Sequence, residues 1–357
     1  MSRIHQSKVD GIADMDFQQA DYVAKNFQFA SGEVLPELNL HYRTLGAPAY
    51  DGDGNVNNAV LMLHGTTGSG EQFTAPETTN FLFQPGQPLD PKKYFIILPD
   101  AIGHGGSSKP SNGLRTRFPR YTYHDLVKAQ HLLATECLKI KRLRLILGTS
   151  MGGMQTWLWG EKHPDMMQAL MPIACFPERV KGRNLLWRRM LINIIRQDPA
   201  YKNGGYTEQP ASVGIAWGLF SLMVDSPLHL QDAFADANAA DATVQETFVT
   251  GIKEQDANDV VYEFDASYDY DPSPDLEKIT APLLVVNFAD DGLNAAELGI
   301  AEKSVQKVKR GQAVLIPMGP KNRGHQTLRI AEVWNRYVAQ ILAETEAGGT
   351  PNKSAHA

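Results

Sequence analysis

The sequence predicts an α/β protein whose central sheet is mostly parallel, with a helical segment inserted into it. Short apolar runs of strand length recur along the chain, at residues 59–63, 94–98, 143–147, 169–174, 283–288 and 313–316. Helix-like segments separate several of these runs, and strands that alternate with helices form parallel sheets. Between residues 177 and 275 apolar residues instead recur at helical spacing and no buried-strand run occurs.

The elements before the first long helix are predicted from alternation and capping. Residues 37–43 alternate apolar and polar side chains with period two, so residues 26–45 are expected to form a β-hairpin. A long loop with four prolines, residues 64–93, joins the next two strands. A helix is expected to begin near Thr122, whose spacing to Asp125 resembles a capping box.

These patterns divide the chain into a core that is interrupted once. Residues 1–176 are expected to form the first part of the core and residues 276–346 the second part. Residues 177–275 are expected to form a helical cap over the C-terminal edge of the sheet, where the site should lie. The last residues, 347–357, are polar and small and are expected to be disordered.

The strongest chemical signal follows the strand at residues 143–147. That strand ends in Gly-x-Ser-x-Gly, with Ser150 at its centre, and a helix-like segment begins at once. This context is typical of a nucleophile elbow, in which a tight turn projects the serine hydroxyl above the sheet edge. Flanking glycines let neighbouring elements come close. Ser150 is therefore predicted to be the nucleophile, and the alternative is an ordinary Gly/Ser-rich turn.

Two later strands supply partners for that serine. The strand at residues 283–288 runs into Asp290 and Asp291, and the strand at residues 313–316 is followed by a loop that contains His325. Both loops lie beyond the C-terminal ends of strands, where open α/β sheets place their chemistry. The chain order serine, aspartate, histidine is that of α/β-hydrolases. We predict His325 as the base and Asp291 as the acid, with Asp290 as the alternative acid.

An oxyanion hole is predicted from two main-chain donors. In α/β-hydrolases one N–H comes from the residue after the nucleophile, here Met151, and the other from the loop after an early strand. That loop here is His-Gly-Thr-Thr-Gly at residues 64–68, and Thr66 is the predicted second donor. The alternative is a turn that is simply rich in glycine and threonine.

Composition narrows the possible partners and compartment. The formal net charge of −6 provides no basic field for nucleic acid or an anionic membrane. No apolar run approaches the roughly 20 residues that span a bilayer. The chain begins without a hydrophobic signal region, and Cys137 and Cys175 form no disulfide framework, so a cytoplasmic location is expected.

The sequence also predicts that no metal and no bound cofactor takes part. The histidines lack the spacing of a zinc site, and His104 is expected to be a loop residue near the mouth of the pocket. The glycine-rich stretch at residues 100–107 lacks the lysine of a phosphate-binding P-loop.

Longer motifs resemble those of one family, the homoserine O-acetyltransferases of the α/β-hydrolase superfamily. The similarity runs from about residue 35 to residue 340. It rests on Gly-Thr-Ser-Met-Gly-Gly-Met-Gln at 148–155, on residues 118–130 and on the cap segment 197–206. The resemblance implies a triad of Ser150, Asp291 and His325, acyl transfer through an acyl-serine, and cap helices that form a tunnel and often a homodimer interface.

The chain departs from the family pattern at positions expected to contact substrate. The family usually carries an arginine in a cap segment that matches residues 214–219, and Leu219 stands in its place. After the histidine, Gln326 replaces the usual acidic residue, and the glycine-rich segment at residues 101–108 is also altered. These departures concern the recognition of homoserine and acetyl-CoA and leave the acyl-transfer residues intact.

Three functions follow from this combination. The first is hydrolysis of a small carboxylic ester, which the missing cap arginine favours. The second is an O-acyltransferase that uses acyl-CoA as co-substrate and homoserine, serine or another small alcohol as acceptor. The third is a non-catalytic binding protein on the same scaffold. A small-molecule ester or acyl donor is the expected partner in the first two.

Overall fold

The computed structural model describes residues 15–346, so that the predicted disordered tail at residues 347–357 lies outside the described residues. A single sheet of eight strands forms the centre of the core. In chain order the strands are β1 (Gln18–Gln28), β2 (Val34–Leu45), β3 (Ala59–Leu63), β4 (Phe95–Pro99), β5 (Leu145–Thr149), β6 (Leu170–Ile173), β7 (Leu283–Phe288) and β8 (Gly311–Ile316).

The sheet is antiparallel at one edge and parallel elsewhere. Its strand order is β1-β2-β4-β3-β5-β6-β7-β8, in which β1 pairs with β2 and β2 with β4 in antiparallel fashion. The remaining neighbours are parallel. The predicted α/β fold is therefore confirmed, and the hairpin begins earlier than predicted, at Gln18 instead of residue 26.

Helices cover both faces of the sheet and form a separate layer above one edge. They are α1 (Pro76–Leu82), α2 (Tyr123–Leu132), α3 (Met151–Lys162), α4 (Gly182–Arg196), α5 (Ser212–Val224), α6 (Pro227–Ala233), α7 (Ala237–Glu254), α8 (Ala257–Asp265), α9 (Ile300–Val305) and α10 (Ala331–Glu346). Helix α1 falls within the loop predicted at residues 64–93; Pro76 stands at its first position, where a missing N–H costs nothing.

The apolar pattern explains these layers. Strands β3 to β7 are buried along their whole length, as expected for strands covered on both faces. Helix α2 begins after Thr122, whose hydroxyl and the Asp125 carboxylate form the predicted capping box. One apolar cluster includes side chains of α2 and α3, and a second, on the other face, includes side chains of α10.

Residues 182–265 form helices α4 to α8, which pack around an apolar cluster of their own. Its members include Leu191, Ile195, Val213 and Phe264. Among residues 15–346 no single helix has the length and apolar character to cross a membrane, although α5 and α6 meet that criterion together, with a bend of 114° between them.

Candidate active site

The turn between β5 and α3 holds Ser150 in a strained conformation. Its φ of 53° and ψ of −114° lie in a region that residues with a side chain rarely adopt. A Cβ built on Gly148 would stand 2.1 Å from the carbonyl oxygen of Gly152, and one on Gly152 would stand 2.0 Å from that of Leu63. Only glycine fits at both positions, so this turn has the geometry of a nucleophile elbow.

The structure brings Ser150, His325 and Asp291 into one hydrogen-bonded chain. The Oγ of Ser150 lies 2.8 Å from Nε2 of His325, and Nδ1 of the same ring lies 2.7 Å from Oδ2 of Asp291. Because a carboxylate only accepts, Nδ1 carries the imidazole proton. Nε2 is then free to accept the proton of the serine hydroxyl.

Asp290 points to a different partner from Asp291. Its Oδ2 accepts from the main-chain N–H of Gly324 at 2.9 Å, and its Oδ1 accepts from the side chain of Asn322 at 3.3 Å. These contacts fix the loop that carries His325. The structure therefore places Asp291 against the imidazole and Asp290 beside the loop.

Asp291 is buried, and both oxygens of its carboxylate accept hydrogen bonds. Its Oδ1 accepts from the N–H of Leu293 at 2.8 Å, and its Oδ2 accepts from the side chain of Asn294 at 2.9 Å. Burial alone would raise the pKa of Asp291, but the charge of His325 and these hydrogen bonds together bring that pKa below its usual value. The carboxylate thus stays ionised beside the imidazole at neutral pH.

The loop after β3 places Thr66 at the wall of the same pocket as Ser150. The side chain of Gln72 ties this loop to the elbow, since it accepts from the N–H of Gly65 at 3.0 Å and donates to the hydroxyl of Thr149 at 2.9 Å. The N–H of Gly65 is thereby occupied. Met151 is the first residue of α3, so its N–H has no acceptor within the helix.

Two buried histidines hold the peptide groups on either side of Thr66. Nε2 of His64 accepts from the N–H of Ala101 at 3.0 Å, so Nδ1 carries the proton and donates to the oxygen of Gly65 at 2.8 Å. Nε2 of His104 lies 2.6 Å from the oxygen of Thr66. His104 was predicted near the pocket mouth; that prediction is wrong, because the ring is buried behind the loop.

His104 also contacts the cap through a buried carboxyl group. Oε1 of Glu263, on α8, lies 3.8 Å from Nε2 of His104. Burial lowers the pKa of His104 to about 3 and raises the pKa of Glu263 well above its usual value. The ring nitrogens nevertheless face two carbonyl oxygens, of Thr66 and of Ile102 at 2.9 Å, which only a doubly protonated ring satisfies together. Burial thus lowers the pKa of this ring, while its hydrogen bonds to the two carbonyl oxygens raise it.

Two cationic side chains that the sequence did not indicate as pocket residues line the pocket of Ser150, one from the cap and one from the core. Arg188 of α4 is 5% exposed and lines the pocket with Ser150; its Nε donates to Asn184 at 2.9 Å. Arg329, after the histidine loop, lines the same pocket, and burial lowers its pKa. Within residues 15–346 no carboxylate lies at ion-pair distance from Arg188. Arg188 and Arg329 thus provide positive charge in this pocket, although Leu219 stands where the related acetyltransferases usually carry an arginine.

The parallel sheet, the strained serine after β5 and its histidine and aspartate partners define a protein of the α/β-hydrolase class. The alpha/beta hydrolase fold family model matches residues 58–302, and the chain belongs to that family. Its relatives include a probable acyltransferase and homoserine O-acetyltransferases, which confirms the predicted resemblance.

Two relatives are similar to this chain in sequence, and one solved structure is similar to it in fold. A probable acyltransferase from Methanothermobacter thermautotrophicus is 30% identical over 276 residues, which cover 77% of this chain and 83% of the relative. A homoserine O-acetyltransferase from Trichormus variabilis is 36% identical over 203 residues, 53% of each chain. The structure of an acetylester hydrolase from Corynebacterium glutamicum has a TM-score of 0.79 at 19% identity and covers 91% of this chain and 96% of that one.

The family match and these relatives indicate an enzyme of the α/β-hydrolase family. The match to the homoserine O-acetyltransferase spans about half the length of that relative, and the esterase structure shares the fold at low identity. The acyl donor and the final acceptor are therefore inferred from the geometry of the pocket and not from these relatives.

Proposed function

We propose that the protein hydrolyses small carboxylic esters through an acyl-Ser150 intermediate. The observation that carries the acyl-serine step is the continuous chain from the Ser150 hydroxyl through His325 to Asp291, with distances of 2.8 and 2.7 Å; the choice of water as acceptor rests on Leu219, which stands where related acetyltransferases usually carry an arginine. Such a chain removes the hydroxyl proton as the oxygen attacks a carbonyl carbon.

The reaction proceeds in two halves that use the same groups. Ser150 Oγ attacks the ester carbonyl while His325 Nε2 takes its proton, and the tetrahedral oxyanion is stabilised by the N–H groups of Met151 and Thr66. His325 then protonates the departing alcohol, leaving the acyl group on Ser150. Water repeats the sequence: His325 takes a proton from it, the acid is released and the proton returns to Ser150.

The role of Thr66 is supported by how its peptide is held. The Gly65–Thr66 peptide is trans, so the N–H of Thr66 points away from the Gly65 oxygen that His64 and the N–H of Gly68 hold. Donors fixed before the reaction contribute on the order of 3 kcal/mol to the transition state.

The small cavity beside Ser150 favours a short acyl chain. The cavity beside Ser150 has a volume of about 40 Å³, and Phe220, Met223 and Phe264 of the cap line it. A space of this size suits an acetyl-sized group better than a long acyl chain. The first half-reaction is therefore expected to be fastest with acetate esters.

A second candidate, O-acyl transfer to an alcohol that carries a carboxylate, is favoured by Arg188. A buried guanidinium without a nearby carboxylate is costly, and an anionic substrate would offset that cost. Arg329 adds a second cation to the same pocket. With acyl-CoA as donor, the acceptor hydroxyl would take the place of water in the second half-reaction.

A burst experiment tests the acyl-serine step. Rapid mixing with p-nitrophenyl acetate should give a burst of p-nitrophenol close to one equivalent per enzyme, and Ser150→Ala should abolish it. Ser221→Ala is the matched control, because that cap hydroxyl bonds the oxygen of Trp217 within its own helix. Full activity in the Ser150→Ala variant would refute the assignment of the nucleophile.

A product assay separates water from an alcohol as the acceptor. The enzyme is given acetyl-CoA with homoserine or serine, and O-acetyl product is compared with free acetate. Acetate as the main product supports hydrolysis. Formation of O-acetyl product faster than ester hydrolysis would refute the first proposal and support the second.

A further inference from the structure

A second, larger cavity lies on the other side of helices α4 and α8 from the catalytic pocket. It has a volume of about 610 Å³ and shares no lining residue with the pocket of Ser150. Helix α4 presents Arg188 to the catalytic pocket, but Arg189 and Arg196 to this cavity. Helix α8 likewise presents Phe264 to the first and Asp265 to the second.

The charge in this cavity is strongly unbalanced. Three arginines, Arg120, Arg189 and Arg196, line it together with one carboxylate, that of Asp265. Arg120 donates to Oδ2 of Asp265 and Arg189 to Oδ1, each at 3.0 Å, so one carboxylate serves two guanidinium groups. Within residues 15–346, Arg196 has no carboxylate at ion-pair distance. Two positive charges therefore remain uncompensated in a chain whose net charge is −6.

Two of the three arginines, Arg120 and Arg189, are held by Asp265 before any ligand arrives. The guanidinium of Arg120 stacks on the ring of Tyr268, 3.5 Å from its centroid, and its ion pair fixes the orientation of that group. Arg189 and Arg196 are two turns apart on one helix and face the same space. Planar guanidinium groups arranged in this way match phosphate oxygens in bidentate fashion.

Three tyrosines, Tyr121, Tyr201 and Tyr262, also line this cavity. The hydroxyl of Tyr201 donates to Asn258 at 2.8 Å and that of Tyr262 to the oxygen of Phe118 at 2.7 Å. Because these hydroxyls are already satisfied, the rings offer apolar surface to the cavity. Asn203, which also lines it, has a φ of 52°. Asparagine adopts this left-handed backbone conformation more readily than other residues with a side chain.

We propose that this cavity is a binding site for an organic phosphate of nucleotide size, separate from the catalytic pocket. A phosphate monoester carries a charge of about −1.5 to −2 at neutral pH, which matches the two uncompensated arginines better than a single carboxylate does. The volume lies within the usual range for small-molecule sites and far exceeds what an inorganic phosphate fills. The tyrosine rings are placed to pack against the base or ribose.

Titration calorimetry on the intact protein tests this site. The probes are adenosine 3′,5′-bisphosphate, coenzyme A and uncharged adenosine. We expect the bisphosphate to bind, adenosine to bind much more weakly, and the affinity for the bisphosphate to fall as salt is added. Arg196→Gln should weaken bisphosphate binding about tenfold, the usual loss for a charge-assisted hydrogen bond.

A matched variant and an activity measurement complete the design. Arg336→Gln removes another exposed arginine, on α10, and should leave bisphosphate binding unchanged. Hydrolysis of p-nitrophenyl acetate by Arg196→Gln should remain at the wild-type rate, so a failure here is distinct from a failure of the proposed catalysis. Absence of bisphosphate binding at millimolar concentration, or equal losses in the two variants, would overturn the proposal.

Coenzyme A distinguishes the two sources of such a ligand. If it competes with the bisphosphate, the cavity takes the nucleotide end of coenzyme A. If the bisphosphate binds and coenzyme A does not compete, the ligand is a free nucleotide. Either result supports the site.

Discussion

Replacing Asp291 with asparagine tests the hydrogen-bonded chain at its most buried member. Oδ1 of Asp291 accepts from two main-chain N–H groups, those of Leu293 at 2.8 Å and Asn294 at 3.2 Å. An asparagine amide must place its oxygen there, because an NH₂ group cannot face two donors. Its NH₂ group then occupies the position of Oδ2, which lies 2.7 Å from Nδ1 of His325.

The consequence is a change of histidine tautomer. The new NH₂ group donates to Nδ1, so the imidazole proton moves to Nε2, which faces the Ser150 hydroxyl. His325 can then no longer accept the serine proton. A wrong tautomer of this kind lowers kcat by about 10⁴-fold, equivalent to about 5 kcal/mol of transition-state stabilisation.

The neighbouring aspartate is the matched control. Asp290→Asn makes the same chemical change one residue away, where the carboxylate bonds the N–H of Gly324 and not the imidazole. We expect a loss of less than about tenfold there, because an asparagine oxygen can still accept from that N–H. Burst and steady-state rates with p-nitrophenyl acetate measure both variants, with Tm as a check on folding. A larger loss in Asp290→Asn than in Asp291→Asn would refute the reasoning.

Three further predictions follow from packing, positioning and pH. Gly152→Ala should prevent folding or lower Tm strongly, whereas Gly218→Ala, whose Cβ would meet nothing within 4 Å, should stabilise helix α5 by about 0.5–1 kcal/mol in denaturant titration. His104→Phe should lower kcat about tenfold or more with little change in KM, because the main-chain oxygen of Thr66 loses its contact with the imidazole. His104→Gln can still donate to that oxygen and should recover part of the lost kcat. The pKa of Asp291 is lowered in the folded state, so its contribution to stability is complete above the ordinary aspartate pKa and is lost as pH falls through the lower, folded value; the Tm difference between wild type and Asp291→Asn should shrink in acid.

Short sequence patterns are sufficient to predict the parallel strands and the candidate catalytic residues. Each buried strand is a short apolar run, and the strain at Ser150 follows from glycines at fixed offsets. The histidine and the aspartate both follow strands, so parallel pairing alone brings their loops to one edge. The sequence favours Asp291 as the acid but keeps Asp290 as the alternative, because neighbouring residues on a turn differ only in side-chain direction, which the sequence does not give.

Features that depend on the packing of the cap were not predictable in this way. Helix α4 has the mixed apolar and polar sequence of an ordinary amphipathic helix, in which an arginine such as Arg188 is expected to face solvent. Only the contact of α4 with α5 and α8 turns that side chain toward Ser150. The burial of His104 also depends on the packing of the cap, because Glu263 of α8 lies against the ring.

The acyl acceptor is therefore decided by residues outside the hydrogen-bonded chain. His325 takes a proton from water and from an alcohol with the same nitrogen, so the chain itself does not discriminate between them. An alcohol competes with water only when binding holds it near the acyl-serine. A carboxylate bonded to Arg188 would gain about 1.5–3 kcal/mol, and thus about a tenfold or larger increase in occupancy. Arg188 should consequently govern how the acyl group is partitioned between acceptors while leaving the rate of acylation by a neutral ester largely unchanged.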